Sequence, residues 1–238
     1  MEGRGGFALG SAAAGALLAF TAGFVDTTGF IALFGLFTAH VTGNFVLIGA
    51  AIAGSHTGIL GKLLALPTFI LAVAATRWFI LSRETRGSAA TRAVLAAQIV
   101  FLVLFLVAGI AAPPFQSGDA PLAIGTGMLG VIAMAIQNAA SRTMFASLAP
   151  TTVMTGNVTQ IVIDLVDLAV GRTEAGQARG RVRKMLPAVI AFAIGALAGA
   201  LGYVLFGFWC LLAPIVAIAV VLAVPPQTEV AKTARSNP

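Results

Sequence analysis

Two Thr-Gly-Asn triplets, Thr42-Gly43-Asn44 and Thr155-Gly156-Asn157, interrupt hydrophobic stretches, and each is followed by a further apolar run. Glycine opens backbone conformations that other residues avoid, and Thr and Asn are good helix N-caps. Each triplet is therefore expected to begin a half-helix, whose free N–H groups and positive dipole end suit an anion or a carbonyl oxygen. The plainer account is a tight turn in which Asn caps the next helix. Asp26 lies deep in the first apolar run, beside Thr27, Thr28 and Gly29. A carboxylate so placed points to a proton or sodium site, or to a paired group that fixes helix packing. Arg142, in the corresponding region further along, is its expected partner. His40, two residues ahead of the first triplet, suits proton relay, a substrate hydrogen bond or a structural one. Gln137, Asn138, Ser141 and Arg142 form a polar patch, with positions 138, 141 and 142 on one helical face.

Patch and second triplet together, with Thr151, Thr152, Thr159 and Gln160 nearby, make the best candidate site. The expected substrate-binding residues are Thr42, Gly43, Asn44, Gln137, Asn138, Arg142, Thr155, Gly156 and Asn157. The expected ion-coupling residues are Asp26 and His40. The competing account of the patch is interhelical hydrogen bonding. Asp164 and Asp167, followed by Arg172, read as helix-end pairing. Gly195 and Gly199, with Gly202 following, read as a close helix contact. Gly125, Gly127 and Gly130 follow no strand, so they make a poor nucleotide loop. Cys210 is the sole cysteine and sits in an apolar run. It is expected to be a small packed residue, with no metal and no organic cofactor implied.

The elements that must carry these residues follow from composition. Of 238 residues, 59% are hydrophobic and 9% charged, and the mean hydropathy is +1.00. Soluble domains carry roughly 25% charged residues, so this chain lacks the material for a polar skin, and lipid is its natural solvent. The formal net charge is +6, but the basic residues are dispersed between apolar runs. A nucleic-acid face needs them clustered. Apolar runs cover about 8–36, 40–54, 62–82, 93–112, 121–149, 152–170, 185–203 and 204–224, with polar connectors near 55–61, 83–92, 113–120 and 171–184. Arg4 followed by an apolar run resembles a signal peptide, but the run continues past residue 30 and reads as a retained first span. The tail 225–238 reads as polar and disordered.

The chain also repeats. Gly43 to Gly156 is an offset of 113 residues, shared by Thr38 and Thr151; Pro67 to Pro187 is an offset of 120, the difference matching the longer second connector. Two anchors with a consistent gap indicate duplication, with a first repeat at 8–112 and a second at 121–224 of one membrane domain spanning 1–238. Placing 1–7, 83–92, 171–184 and the tail in the cytoplasm puts eleven basic residues inside and only Lys62 beside an outer loop. That distribution follows the positive-inside rule. It leaves one net crossing between residues 8 and 54, and one between 121 and 170. The expected fold is all-α: a polytopic transmembrane bundle of about six crossings, in two inverted three-crossing repeats with a broken helix in each. The alternative is eight shorter spans in parallel repeats, which splits the basic residues nine to three.

The segments Phe24-Val25-Asp26-Thr27-Thr28-Gly29-Phe30, Ala39-His40-Val41-Thr42-Gly43-Asn44, Gln137-Asn138-Ala139 and Pro150 to Gln160 resemble the signature of the YoaK-like family. The resemblance covers nearly the whole chain. It implies a bacterial inner-membrane protein of about six helices and supplies no activity. Broken helices in inverted halves are the plan of many secondary transporters. A transporter or permease for a small polar or anionic solute is therefore the leading expectation, with an ion coupled at Asp26. A non-catalytic scaffold or partner subunit comes second. A lipid-acting enzyme comes third, because the sequence shows no His-Glu zinc motif, Ser elbow or paired acids. Expected partners are the lipid bilayer, a small solute and a coupling ion, with a homo-oligomer left open. Both termini are expected in the cytoplasm.

Overall fold

A computed structural model describes residues 9–54, 58–85, 90–112, 114–171 and 175–224. The expectations for Arg4, Arg86, Arg172 and the tail 225–238 lie outside the described residues. Every regular element among those described is helical: α1 (Ser11–Ala32), α2 (Gly43–Ile52), α3 (Ile59–Glu84), α4 (Thr91–Ala111), α5 (Pro121–Thr143), α6 (Met154–Ala169), α7 (Ala175–Phe206), a 3-10 turn (Gly207–Leu211) and α8 (Leu212–Ala223). Helices are the natural answer for such apolar runs, because lipid offers no partner to an open N–H or C=O. Pro67 and Pro187 both lie inside their helices, α3 and α7.

The protein is a polytopic transmembrane helix bundle. Among the described residues, five helical stretches are long and apolar enough to span a membrane: Ser11–Ala32, Ile59–Glu84, Thr91–Ala111, Pro121–Thr143 and Gly176–Ala223. The last folds back on itself at Gly207 (φ 56°). A Cβ on Gly202 would lie 2.9 Å from that of Cys210 across this hairpin. The path therefore makes six passes among the described residues. α2, with 10 residues, rises only about 15 Å and cannot span the roughly 30 Å hydrocarbon core.

The burial pattern is that of a protein dissolved in lipid. Trp78 is 77% exposed and Val204 74%, while Thr21, Gln98 and Thr151 are fully buried. Polar side chains inside and large apolar ones outside reverse the soluble pattern.

Two helix pairs form the frame. α1 runs parallel to α7: Gly195 meets the Phe20 carbonyl and Gly199 that of Phe24. α3 runs parallel to α5, with Gly61 near Ile124 and Thr68 donating to Met128 Sδ. Gly195 and Gly199 thus make the close contact expected of them, and a Cβ on Gly23 would collide with the Phe192 carbonyl of α7. One expectation changes. Residues 175–184, read as part of a polar connector, form the first turns of α7. Arg181 within them pairs with the buried Asp164 of α6, which gives the polar segment a partner to fold against.

Candidate functional site

After α1 the chain turns through Phe34 (φ 55°) and Gly35 (φ 82°) and doubles back along the helix it has just left. Lys62, only 5% exposed, donates from Nζ to the Phe34 carbonyl at 2.8 Å. Lys62, at the start of α3 beside the 55–58 connector, therefore closes a turn. The returning segment, residues 33–42, is pinned by Asp26. Its Oδ1 accepts the backbone N–H of Thr38 (2.8 Å) and Ala39 (2.7 Å), with longer bonds from His40 N and Thr38 Oγ1 (both 3.4 Å). Its Oδ2 faces His40 Nδ1 at 2.7 Å. Every neighbour of Oδ1 is a donor, so the carboxylate acts as an acceptor hub. The segment has room because Gly29 and Gly127 present no side chain where Thr38 and Leu36 pass.

A second segment, residues 144–153, doubles back along α5. Gln137 donates from Nε2 to the Leu18 carbonyl of α1 (2.8 Å) and to Thr151 Oγ1 (3.3 Å). Asn138 donates to Thr152 Oγ1 at 2.9 Å. Each triplet then opens a short helix, and its asparagine turns back to close the segment. Asn44 Nδ2 donates to the Phe37 carbonyl at 2.9 Å, and Asn157 Nδ2 to that of Pro150 at 2.7 Å.

Between the two segments lies a buried polar cluster. Gln98 of α4 donates from Nε2 to Gln137 Oε1 at 2.7 Å. Gln98 Oε1 and the hydroxyl of Thr21, both fully buried, have no hydrogen-bond partner among the described residues. Thr21 is three residues beyond Leu18 on α1, which places it on the helix face where Gln137 docks. It stands near the middle of α1 (Ser11–Ala32), at mid-depth in the span. Such groups are costly to leave unpaired in a low-dielectric interior.

The structure therefore gathers some expected residues and disperses others. Gln137, Asn138 and Asp26 each contact a returning segment, as do Asn44 and Asn157, and His40 lies on the first of them, facing Asp26. Thr42, Thr155 and Gly156 are exposed, and Gly43 is half-buried. The triplets do not frame one central pocket. Asp26 and Leu18 are eight residues apart on α1, so the two pinned segments are separated by about 12 Å along it. Capping also differs from expectation. The N-cap of α2 is Thr42 without a side-chain cap bond, and that of α6 is Val153.

Asp26 pairs with His40 and not with Arg142. Arg142 is exposed at the end of α5, near the opposite face from the end of α1. Arg181 meets Asp164, through Nε and a terminal guanidinium nitrogen. His40 keeps about two-fifths of its side chain exposed (39%) and sets its ring edge-on to Phe192 of α7, centroids 5.6 Å apart. Thr21 and Gln98 escaped sequence reasoning. A lone threonine or glutamine in an apolar run carries no periodic signal, and only the packing of α5 against both α1 and α4 brings Gln137 to Gln98 and to the turn of α1 that holds Thr21.

This geometry defines a class: a multi-pass helix-bundle membrane protein in which two chain segments fold back into the bundle beside buried polar side chains. Residues 14–224 match the family described as Protein of unknown function (DUF1275), and the chain belongs to that family. It is 32% identical over 206 residues to the UPF0700 transmembrane protein YoaK of Bacillus subtilis (strain 168), covering 85% of this chain and 88% of that one. No solved structure matches the chain.

Proposed function

We propose that the protein is a secondary transporter or permease of the bacterial inner membrane, with both termini cytoplasmic, that carries a small polar solute through the centre of the bundle. The observation that carries this reading is the buried Gln98–Gln137–Thr151 network, with Gln98 Oε1 unpartnered within it and the buried Thr21 hydroxyl unpartnered one helical turn from the Leu18 carbonyl that Gln137 meets. A guest that meets Gln98 Oε1 must donate a hydrogen bond. That favours a neutral or cationic donor over an anion, because Arg142 stands away from the cluster. The cluster is closed to solvent, so loading requires a returning segment to move.

Two parallel helix pairs support an alternating-access reading. α1 and α5 are the first long helices of the two halves; each packs in parallel on the second long helix of the other half, α7 or α3. A pseudo-two-fold axis in the membrane plane accounts for this exchange, as in inverted-repeat transporters. Asp26 and His40 are the coupling pair in this reading. A proton on the exposed side of the imidazole changes how firmly the carboxylate holds residues 38–40.

The test is uptake into proteoliposomes of a panel of small amides, polyols and ammonium compounds, with wild type, Thr21→Val and Gln98→Leu. Uptake of one class that falls at least tenfold in Thr21→Val, without a lower melting temperature, supports the reading. Uptake indistinguishable from empty liposomes for wild type across the panel, or unchanged in both variants, overturns it and favours a non-catalytic scaffold.

A further inference from the structure

The two parallel crossings are closed unequally. Where α1 meets α7, glycines bring backbone against backbone. Where α3 meets α5 the facing residues are Ala72, Ala75, Thr76, Phe79, Ile132 and Ile136, and with α4 they leave an apolar crevice of about 250 Å³. Phe79 is five residues from the end of α3, and Phe101 of α4 is ten residues beyond its start. The crevice thus runs from near the 84–91 connector to about 15 Å into the bundle. That is half of a hydrocarbon core roughly 30 Å thick, the depth of one leaflet.

The mouth is cationic. α3 carries Arg83 and α5 carries Arg142 in the last turn, and Arg92 is the second residue of α4. α4 runs antiparallel to α5, with Gln98 bonded to Gln137 and Phe105 against Gly130, so all three ends lie on one face. Arg83 sets its guanidinium over the ring of Phe79, 5.3 Å from the centroid, and Phe79 lines the crevice. Arg92 and Arg142 are exposed. Glu84 is the one acidic residue at these three helix ends among the described residues.

We infer that this crevice is a binding site for an anionic phospholipid: one acyl chain lies between α3, α4 and α5, and the headgroup phosphate meets Arg83, with Arg92 and Arg142 beside it. Shape supplies the chain site and charge selects the headgroup. The site does not depend on the transport reading, and it gives Arg142 a role at the bundle edge.

The full chain in detergent is titrated with phosphatidylglycerol or with phosphatidylcholine of the same acyl chains, and the lipid-dependent rise in melting temperature is read. The expected result is a saturable rise with phosphatidylglycerol, several-fold larger than with phosphatidylcholine, and at least halved in Arg83→Gln and in Ala97→Phe, which fills the crevice. Phosphatidylglycerol carrying a photoreactive group near its chain end is expected to crosslink wild type within 72–79, 93–101 or 132–136. This readout needs no variant to fold. Equal rises for the two lipids, an undiminished rise in Ala97→Phe, or crosslinks outside these segments would overturn the site.

Discussion

Asn44 and Asn157 make the same contact at the same place in two parts of the chain. Each donates its side-chain amide to the carbonyl seven residues upstream, Phe37 at 2.9 Å and Pro150 at 2.7 Å. Both the asparagines and their acceptors are related by the offset of 113 residues. The relationship is unequal in one respect. Asn44 Oδ1 also accepts the N–H of Phe37 at 2.9 Å, whereas Pro150 has no N–H to give.

Replacement of either asparagine by alanine should loosen its returning segment, and the first should suffer more. Asn44→Ala leaves both a donor and an acceptor of Phe37 without a partner; Asn157→Ala leaves one acceptor. With about 1–3 kcal/mol for each buried group left unpaired, Asn44→Ala should lower the melting temperature in detergent further than Asn157→Ala. Equal losses would mean that the second bond of Asn44 contributes nothing.

Asp26 should be needed more for its acceptor oxygen than for its volume. Asp26→Leu leaves the N–H groups of Thr38 and Ala39 buried and unpaired, at about 1–3 kcal/mol each. Asp26→Asn keeps a carbonyl oxygen for them and should cost less than half as much. His40→Ala removes the bond to Oδ2 and the edge-on contact with Phe192 but leaves the N–H groups of Thr38 and Ala39 paired, and should lower the melting temperature less than Asp26→Leu. Transport assays on Asp26→Asn and His40→Ala then separate coupling from folding. A large stability loss in His40→Ala would show that the ring is itself structural.

Glycines should divide by surroundings. In Gly195→Ala the new methyl collides with the Phe20 carbonyl, and forcing α1 from α7 should cost about 1–3 kcal/mol. In Gly156→Ala nothing lies within 4 Å of the new Cβ, and a helical position should gain about 0.5–1 kcal/mol. Thermal unfolding of the two variants, side by side, checks the sign of each change. A destabilised Gly156→Ala would place a neighbour, such as a second copy or a ligand, against that exposed turn.

Much of the architecture was legible in the residues themselves. Apolar runs near span length, the breaks at the two triplets and the spacing of basic residues pointed to a helical membrane bundle with an interruption after the first and fourth long helices. The start of α2 at Gly43 and of α6 at Met154 fits the expected half-helices. Partner choice was not legible. Asp26 is twelve to fourteen residues from the groups it holds, and Arg142 was an equally charged candidate. Only the turn at Phe34 and Gly35, which returns the chain along α1, brings His40 to the carboxylate.

The sequence by itself determined the solvent of this protein, the helical state of its backbone and the places where that state is interrupted. Hydrophobicity, glycine and asparagine act locally, so their effects can be read along the chain. The tertiary structure decided which polar groups meet and which stay unpartnered. Thr21, Gln98, Gln137 and Thr151 come from three helices and a returning segment. Their union depends on how closely backbones approach, and that distance is set across the bundle, by a glycine on one helix against a carbonyl on another.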